Sequence, residues 1–208
     1  MEKISRTRLT LFLFACFVLA GTAAHTDDVL RRPAAESFSE KATGIVFPAR
    51  IDNYEKVMVR INPELRIGTD IAYENETGAL ADVYVYRPGD VPLTDAAFTA
   101  HAKETLARIA GMAEHSRLIR NVTALHREPL PLRDGVCSGI YRITLEKEEL
   151  ISRVYILRHG DRIIKVRVSI PVETGTAEIP PDPFGPEILK LAGAGSFRIS
   201  GANPTTGE

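Results

Sequence analysis

The sequence has little net charge and few cysteines, and the short motifs that announce chemistry are missing from it. Its 26 basic and 27 acidic residues leave a formal charge of -1. No global field therefore pulls the chain toward nucleic acid or an anionic membrane. The two cysteines are Cys16 and Cys137. There is no paired-cysteine metal spacing, no His-Glu-x-x-His, no glycine-rich phosphate loop and no G-x-S-x-G elbow. The histidines His101, His115, His126 and His159 follow no metal-ligand spacing, and the carboxylates are scattered. The sequence thus nominates no metal, no cofactor and no catalytic residue.

What is present first is a leader. Lys3, Arg6 and Arg8 precede an apolar run, Leu9 to Ala20, broken by Thr10 alone, and Gly21, Thr22, Ala23 and Ala24 follow. Positive, apolar and then small is the order of a secretory signal peptide. About 12 apolar residues are too few to cross roughly 30 Å of hydrocarbon as a helix. Cleavage is expected after Ala23 or Ala24, giving a periplasmic or secreted protein that touches the membrane only if the leader is retained. Cleavage removes Cys16, so the mature chain has no internal disulfide.

The remaining chain has the balance of a globular protein, 44% hydrophobic and 25% charged. Residues 25–43 read as a linker, 44–193 as one domain and 194–208 as a disordered tail. In Tyr54 to Ile61, Val57, Val59 and Ile61 alternate with Lys56 and Arg60, the pattern of a half-buried strand. Further strands are expected at Thr69 to Glu74, Ala79 to Arg87, Ile119 to Leu125, Val136 to Leu145, Leu150 to Arg158 and Arg162 to Ile170. Thr94 or Asp95 caps a long helix running to about Ser116, with Phe98, Ala102, Thr105, Ile109 and Met112 on one face. A short helix is expected over Glu187 to Ala192. The fold class is α+β: an antiparallel sheet of about seven strands with one long helix packed on one face.

The segments Gly44-Ile45-Val46-Phe47-Pro48, Val83-Tyr84-Val85-Tyr86 and Ile164-Lys165-Val166-Arg167 resemble those of uncharacterised exported proteins of Gram-negative bacteria. The strand-helix-strand layout is similar, in architecture alone, to the photosystem II extrinsic protein PsbP. The first resemblance implies an envelope location and the second a binding or assembly role. Neither implies a chemistry.

Two side-chain readings follow from strand alternation. Cys137 shares a face with Tyr141, Ile143 and Leu145, so burial should make it inert. For the last three strands, Leu145 and Leu150 are taken to close a four-residue turn and His159-Gly160-Asp161 to form a three-residue loop. That loop keeps Val154 opposite Val166 and Ile156 opposite Ile164, whereas a two-residue loop would set Val154 against Arg167. The expected registers align Arg142, Arg153 and Arg167 in a row on the face away from the core, with Tyr155 beside Lys165. Like charges so placed need compensation. Either solvent and carboxylates such as Asp82 or those of a covering loop supply it, or an anionic ligand or partner does. The function expected is that of an exported, non-catalytic envelope protein that binds an anionic ligand or an unknown envelope protein through this arginine-rich face. The alternative is a periplasmic enzyme of unrecognised type, which a polar pocket gathering two of the histidines or carboxylates would favour.

Overall fold

A computed structural model describes residues 30–31, 36–62, 64, 66–90, 92–127 and 135–193. The expected signal peptide and the tail beyond residue 193 lie outside them. Among the described residues eleven strands form. The seven expected ones are β5 (Tyr54–Ile61), β6 (Thr69–Asn75), β7 (Leu80–Tyr86), β8 (Ile119–Arg127), β9 (Val136–Leu145), β10 (Glu149–His159) and β11 (Arg162–Val172). Four two-residue strands add to them: β1 (Leu30–Arg31), β2 (Phe38–Ser39), β3 (Val46–Phe47) and β4 (Arg50–Ile51). One wholly antiparallel sheet runs β1-β5-β6-β7-β11-β10-β9-β8, with β4 also beside β5, and β2 pairs β3 separately. Phe38, inside the segment read as a linker, is buried in one apolar cluster with Phe47.

Helix α1 (Asp95–Ala110) begins where Thr94 Oγ1 accepts from the backbone N–H of Ala97 at 3.2 Å. It does not run on to Ser116. Gly111 closes it, and the four-residue α2 (Met112–His115) follows with no buried residue. Phe98, Ala102, Leu106 and Ile109 of α1 share an apolar cluster with Tyr141, Ile143, Val154 and Ile156. The Tyr141 hydroxyl donates to the carbonyl of Leu106 at 3.1 Å.

Helix α3 (Phe184–Leu191) starts three residues before the expected position. Asp182 Oδ1 accepts from the N–H groups of Phe184 and Gly185, both at 3.0 Å. Pro186 sits in the first turn, where a missing N–H costs nothing. Phe184 packs its ring 5.0 Å from those of Tyr54 and Tyr73. Phe184, Ile188 and Leu189 join Val83, Val85, Ile164, Val166 and Val168 in a second cluster. Two apolar clusters thus take alternate residues of the same central strands, one with α1 and one with α3.

In β5 the simple alternation fails. The register to β6 shifts between Lys56 and Met58, so Val57 is exposed and Lys56 is buried. A bulge inserts one residue and turns the side chains over. The Lys56 ammonium is satisfied by the carbonyl oxygens of Glu36 and Phe47.

Candidate functional site

The arginine row does not form, because both registers on which it rested are different. The β10–β11 loop is the two-residue Gly160-Asp161, with His159 opposite Arg162 and Val154 opposite Arg167. Gly160 has φ +61°, while Asp161 has no positive φ. That is the pattern of a type II′ turn, whose twist suits a hairpin. The alternation argument had no power here because Val154 and Val166 are both buried, on opposite faces. Alternation selects a register only where one face is wet. In the β9–β10 hairpin, Leu145 N–H donates to Glu148 O at 2.9 Å and Thr144 faces Glu149. The pairing therefore sits two residues from the expected one, and Arg142 lies opposite Ile151, not Arg153.

The five expected binding residues consequently divide between the two faces. Arg142, Arg153 and Tyr155 lie on the α3 side and hold the chain that follows β11. Arg142 Nη1 meets Glu149 Oε2 at 3.0 Å. The N–H of Gly175 also donates to Glu149, and with Arg142 and the Thr144 hydroxyl it keeps that carboxyl below its ordinary range. Arg153 donates to the carbonyl of Pro180, and the Tyr155 hydroxyl donates to Asp182 Oδ2 at 2.8 Å. Arg167 lies on the other face, where Nη2 meets Asp82 Oδ2 at 2.8 Å with the side chains 3% and 9% exposed. Compensation by Asp82 and by a covering loop is thus what these arginines receive.

A different polar row crosses the sheet. Arg60 of β5 pairs with Asp70 of β6, Asp70 with Tyr84 of β7, and Tyr84 with Lys165 of β11. Directly opposed residues share a face, so these four lie side by side at strand spacings of about 4.8 Å. The neighbouring row carries Asp82 and Arg167. Over the first row lies a cavity of about 440 Å³, walled by strand residues and by His101, Glu104, Thr105 and Arg108 of α1. Its lining has four arginine and lysine side chains, Arg60, Arg66, Arg108 and Lys165, beside His101, and two carboxylates, Asp70 and Glu104. At the rim Arg66 pairs with Asp90 at 3.1 Å and Arg108 with Glu104 at 2.5 Å. Gly68 also lines it, with φ +67°, and a Cβ there would lie 2.1 Å from the carbonyl oxygen of Val85. Only glycine permits that approach.

The interior groups are strongly perturbed. Lys165 is 5% exposed, and its Nζ sits 4.1 Å from the centre of the Tyr84 ring, a cation–π contact. Burial, and then the neighbouring Arg167, push its ammonium down to about 7, against the pull of Asp82 and Asp70. Asp70 is 6% exposed. Burial and then the charge of Asp82 push its carboxyl up to about 7, although Arg60, Lys165 and Arg167 oppose this. Its Oδ1 is sealed from solvent and accepts no hydrogen bond among the described residues. The Tyr86 hydroxyl and His101 Nε2 are 2.8 Å apart, and burial lowers the His101 value. Opposed perturbed groups gathered in one cavity make it the candidate site.

Of the five binding residues expected from the sequence, only Lys165 belongs to this cavity. Asp70, Tyr84, Tyr86 and Arg60 were not singled out, yet a signal for them existed. Asp70 and Lys165 each sit inside a strand whose alternate residues are apolar, so one face of each strand carries a charge that needs a reason. Cys137 is fully buried, and burial pushes its thiol up to about 12, as its apolar neighbours implied. Among the described residues no group of three or more His, Cys, Asp or Glu side chains is placed to hold a metal ion. No helix among them is long and apolar enough to cross a membrane. No family model matches the chain, and no curated protein matches it either.

Proposed function

We propose that this chain is an exported protein whose mature domain binds a small anionic ligand in the cavity beside α1. On this reading the leader directs export, and α1 lies along one face of the sheet as the roof of the binding site. The observation that carries the proposal is the composition of the cavity wall, four arginine and lysine side chains against two carboxylates. An ammonium as buried as that of Lys165 is costly to keep charged, and a bound anion adds to the pull of Asp82 and Asp70 that offsets this cost. The anion reading survives the loss of the arginine row, but its place moves from three arginines to the Arg60–Lys165 row.

The second reading, an enzyme, also has an observation in its favour. The cavity gathers His101 with Asp70 and Glu104, and Lys165 has an amine poised near neutrality, where general bases operate. Against it, His101 Nε2 engages Tyr86, and a binding site needs no further group. The test is calorimetry of the mature protein with phosphate, acetate and succinate, beside Lys165→Met. Saturable binding that weakens at least about tenfold in the variant is expected. Absence of saturable binding by all three anions would overturn the proposal. Chemical conversion of a bound anion would move the assignment to the enzyme reading. Export is tested by N-terminal sequencing of the periplasmic fraction, with a start at Ala24 or His25 expected. An intact Met1 in the membrane fraction would overturn it.

A further inference from the structure

The size and the walls of the cavity bear on what body the anion carries. At about 440 Å³ the cavity falls within the roughly 300–1,000 Å³ of small-molecule pockets. A water takes roughly 30 Å³ of liquid, so an ion as compact as phosphate or acetate leaves most of this space wet. The walls also differ from end to end. One end is the charged row, Arg60, Asp70, Tyr84 and Lys165. The other is Ile67, Gly68, Tyr86 and Pro88, which carry no charge. Gly68 lies against the Cα and Cβ of Tyr86 and has no side chain to cover that ring. Ile67 is 44% exposed, so apolar surface is open at this end. The Tyr86 and His101 rings meet at 57° with centres 5.6 Å apart, so neither lies flat over the other.

Resting on the anion-binding reading, we propose that the ligand is an aromatic carboxylate, its carboxylate held by Lys165 and its ring laid against Tyr86 and Pro88. Lys165 Nζ is 4.1 Å from the centre of the Tyr84 ring and 6.0 Å from that of Tyr86. A carboxylate on this ammonium therefore sets the next atoms of the ligand beside Tyr86, a reach that suits a carboxylate borne directly on a ring. Aromatic rings pair offset or edge-to-face with centres about 4.5–7 Å apart, and they gain beyond the area they bury. The basic groups favour a flat π-system as well. Arg66 and Arg108 stand at the rim, and a guanidinium plane stacks on an aromatic face in a way that an aliphatic chain does not offer. Burial of the ring adds a hydrophobic contribution that a bare ion lacks.

The experiment compares benzoate, cyclohexanecarboxylate, acetate and benzyl alcohol by calorimetry on the wild-type mature protein. Benzoate is expected to bind at least about tenfold tighter than acetate, from burial of its ring. It is also expected to bind roughly two- to tenfold tighter than cyclohexanecarboxylate, the usual worth of an aromatic pair. Cyclohexanecarboxylate is the more apolar of the two, so hydrophobic burial alone gives the reverse order. Tyr86→Leu should abolish the lead of benzoate over cyclohexanecarboxylate and leave acetate unchanged. If acetate binds as tightly as benzoate, the ring has no place in the cavity and the proposal fails while the anion site stands. If cyclohexanecarboxylate matches benzoate, the wall is apolar without preferring an aromatic ring, and the proposal fails. If benzyl alcohol matches benzoate, or if none of the acids binds, the anion site itself is wrong and this inference falls with it. The wild-type comparison decides the matter even if Tyr86→Leu does not fold.

Discussion

Replacing Arg167 by Gln removes the cation from a pair whose side chains are 3% and 9% exposed and whose closest atoms are 2.8 Å apart. Two effects oppose each other. Lys165 lies near enough for Arg167 to depress its ammonium, so losing Arg167 relieves a repulsion. Asp82, however, is left buried without its partner and close to Asp70, whose carboxyl it already pushes up. The second effect is larger, because stranding a buried charge costs about 3–5 kcal/mol. For a domain of this size that is a fall of roughly 6–20 °C in Tm. Urea unfolding of Arg167→Gln, Asp82→Asn and the double variant is the assay. The double variant should lose less than the two single variants together, since it strands no charge. Arg153→Gln, which loses a charged donor to the carbonyl of Pro180, should cost about 1.5–3 kcal/mol. An Arg167→Gln loss under about 1 kcal/mol, the range of exposed ion pairs, would refute the reasoning and return Arg167 to the solvent-facing role that the sequence suggested.

The raised value at Asp70, about 7 against an ordinary 3.8, means that the folded chain holds this proton more tightly than the unfolded chain. Its contribution is complete below about pH 4 and is lost as the pH rises to 7. Asp70→Asn should therefore gain on wild type across that window, by up to roughly 4 kcal/mol for about three pH units, and a difference flat with pH would contradict this. Lys165 acts in the opposite sense: its lowered value costs stability that returns as the pH climbs from about 7 toward 10.5, so Lys165→Met should gain most near neutrality and least at about pH 10. Gly68→Ala should lose more than about 2 kcal/mol, from the left-handed backbone and from the close approach to Val85, and wild-type stability would show that the loop moves freely. Cys137 should resist an aromatic disulfide reagent until denaturant is added, whereas rapid labelling of the native chain would mean that its face is open.

The seven long strands and the helix start at Thr94 were legible because local chemistry sets them: proline and glycine breaks, β-branched runs and a capping hydroxyl. What failed was whatever depends on a second layer. Pairing Val154 with Val166 assumed that one face was wet, but Arg167 can stand opposite Val154 because Asp82 on β7 meets it inside the protein. The Lys56 bulge similarly depends on carbonyl oxygens of Glu36 and Phe47, which strand alternation does not foresee. The helix over 184–191 begins early because Asp182 accepts two backbone N–H groups, and the prolines around it disguised that start. The candidate site was legible only at Lys165. Its other members come from three further strands, the loops beside them and a helix, and their adjacency is a property of strand order.

The seat of Phe184 governs when this chain can finish folding. Its ring packs against Tyr54, far earlier in the sequence, and against Tyr73. The first strands of the sheet are thus made long before the side chain that completes their cluster. Closing loops of that length makes folding slow, and an incomplete chain keeps apolar strand faces open. During synthesis the domain therefore cannot lock, and it reaches its stable form only after the segment that forms α3 is released. Under the export proposed for this chain, that order is a timing device built into topology: the nascent protein stays pliable until α3 has been made.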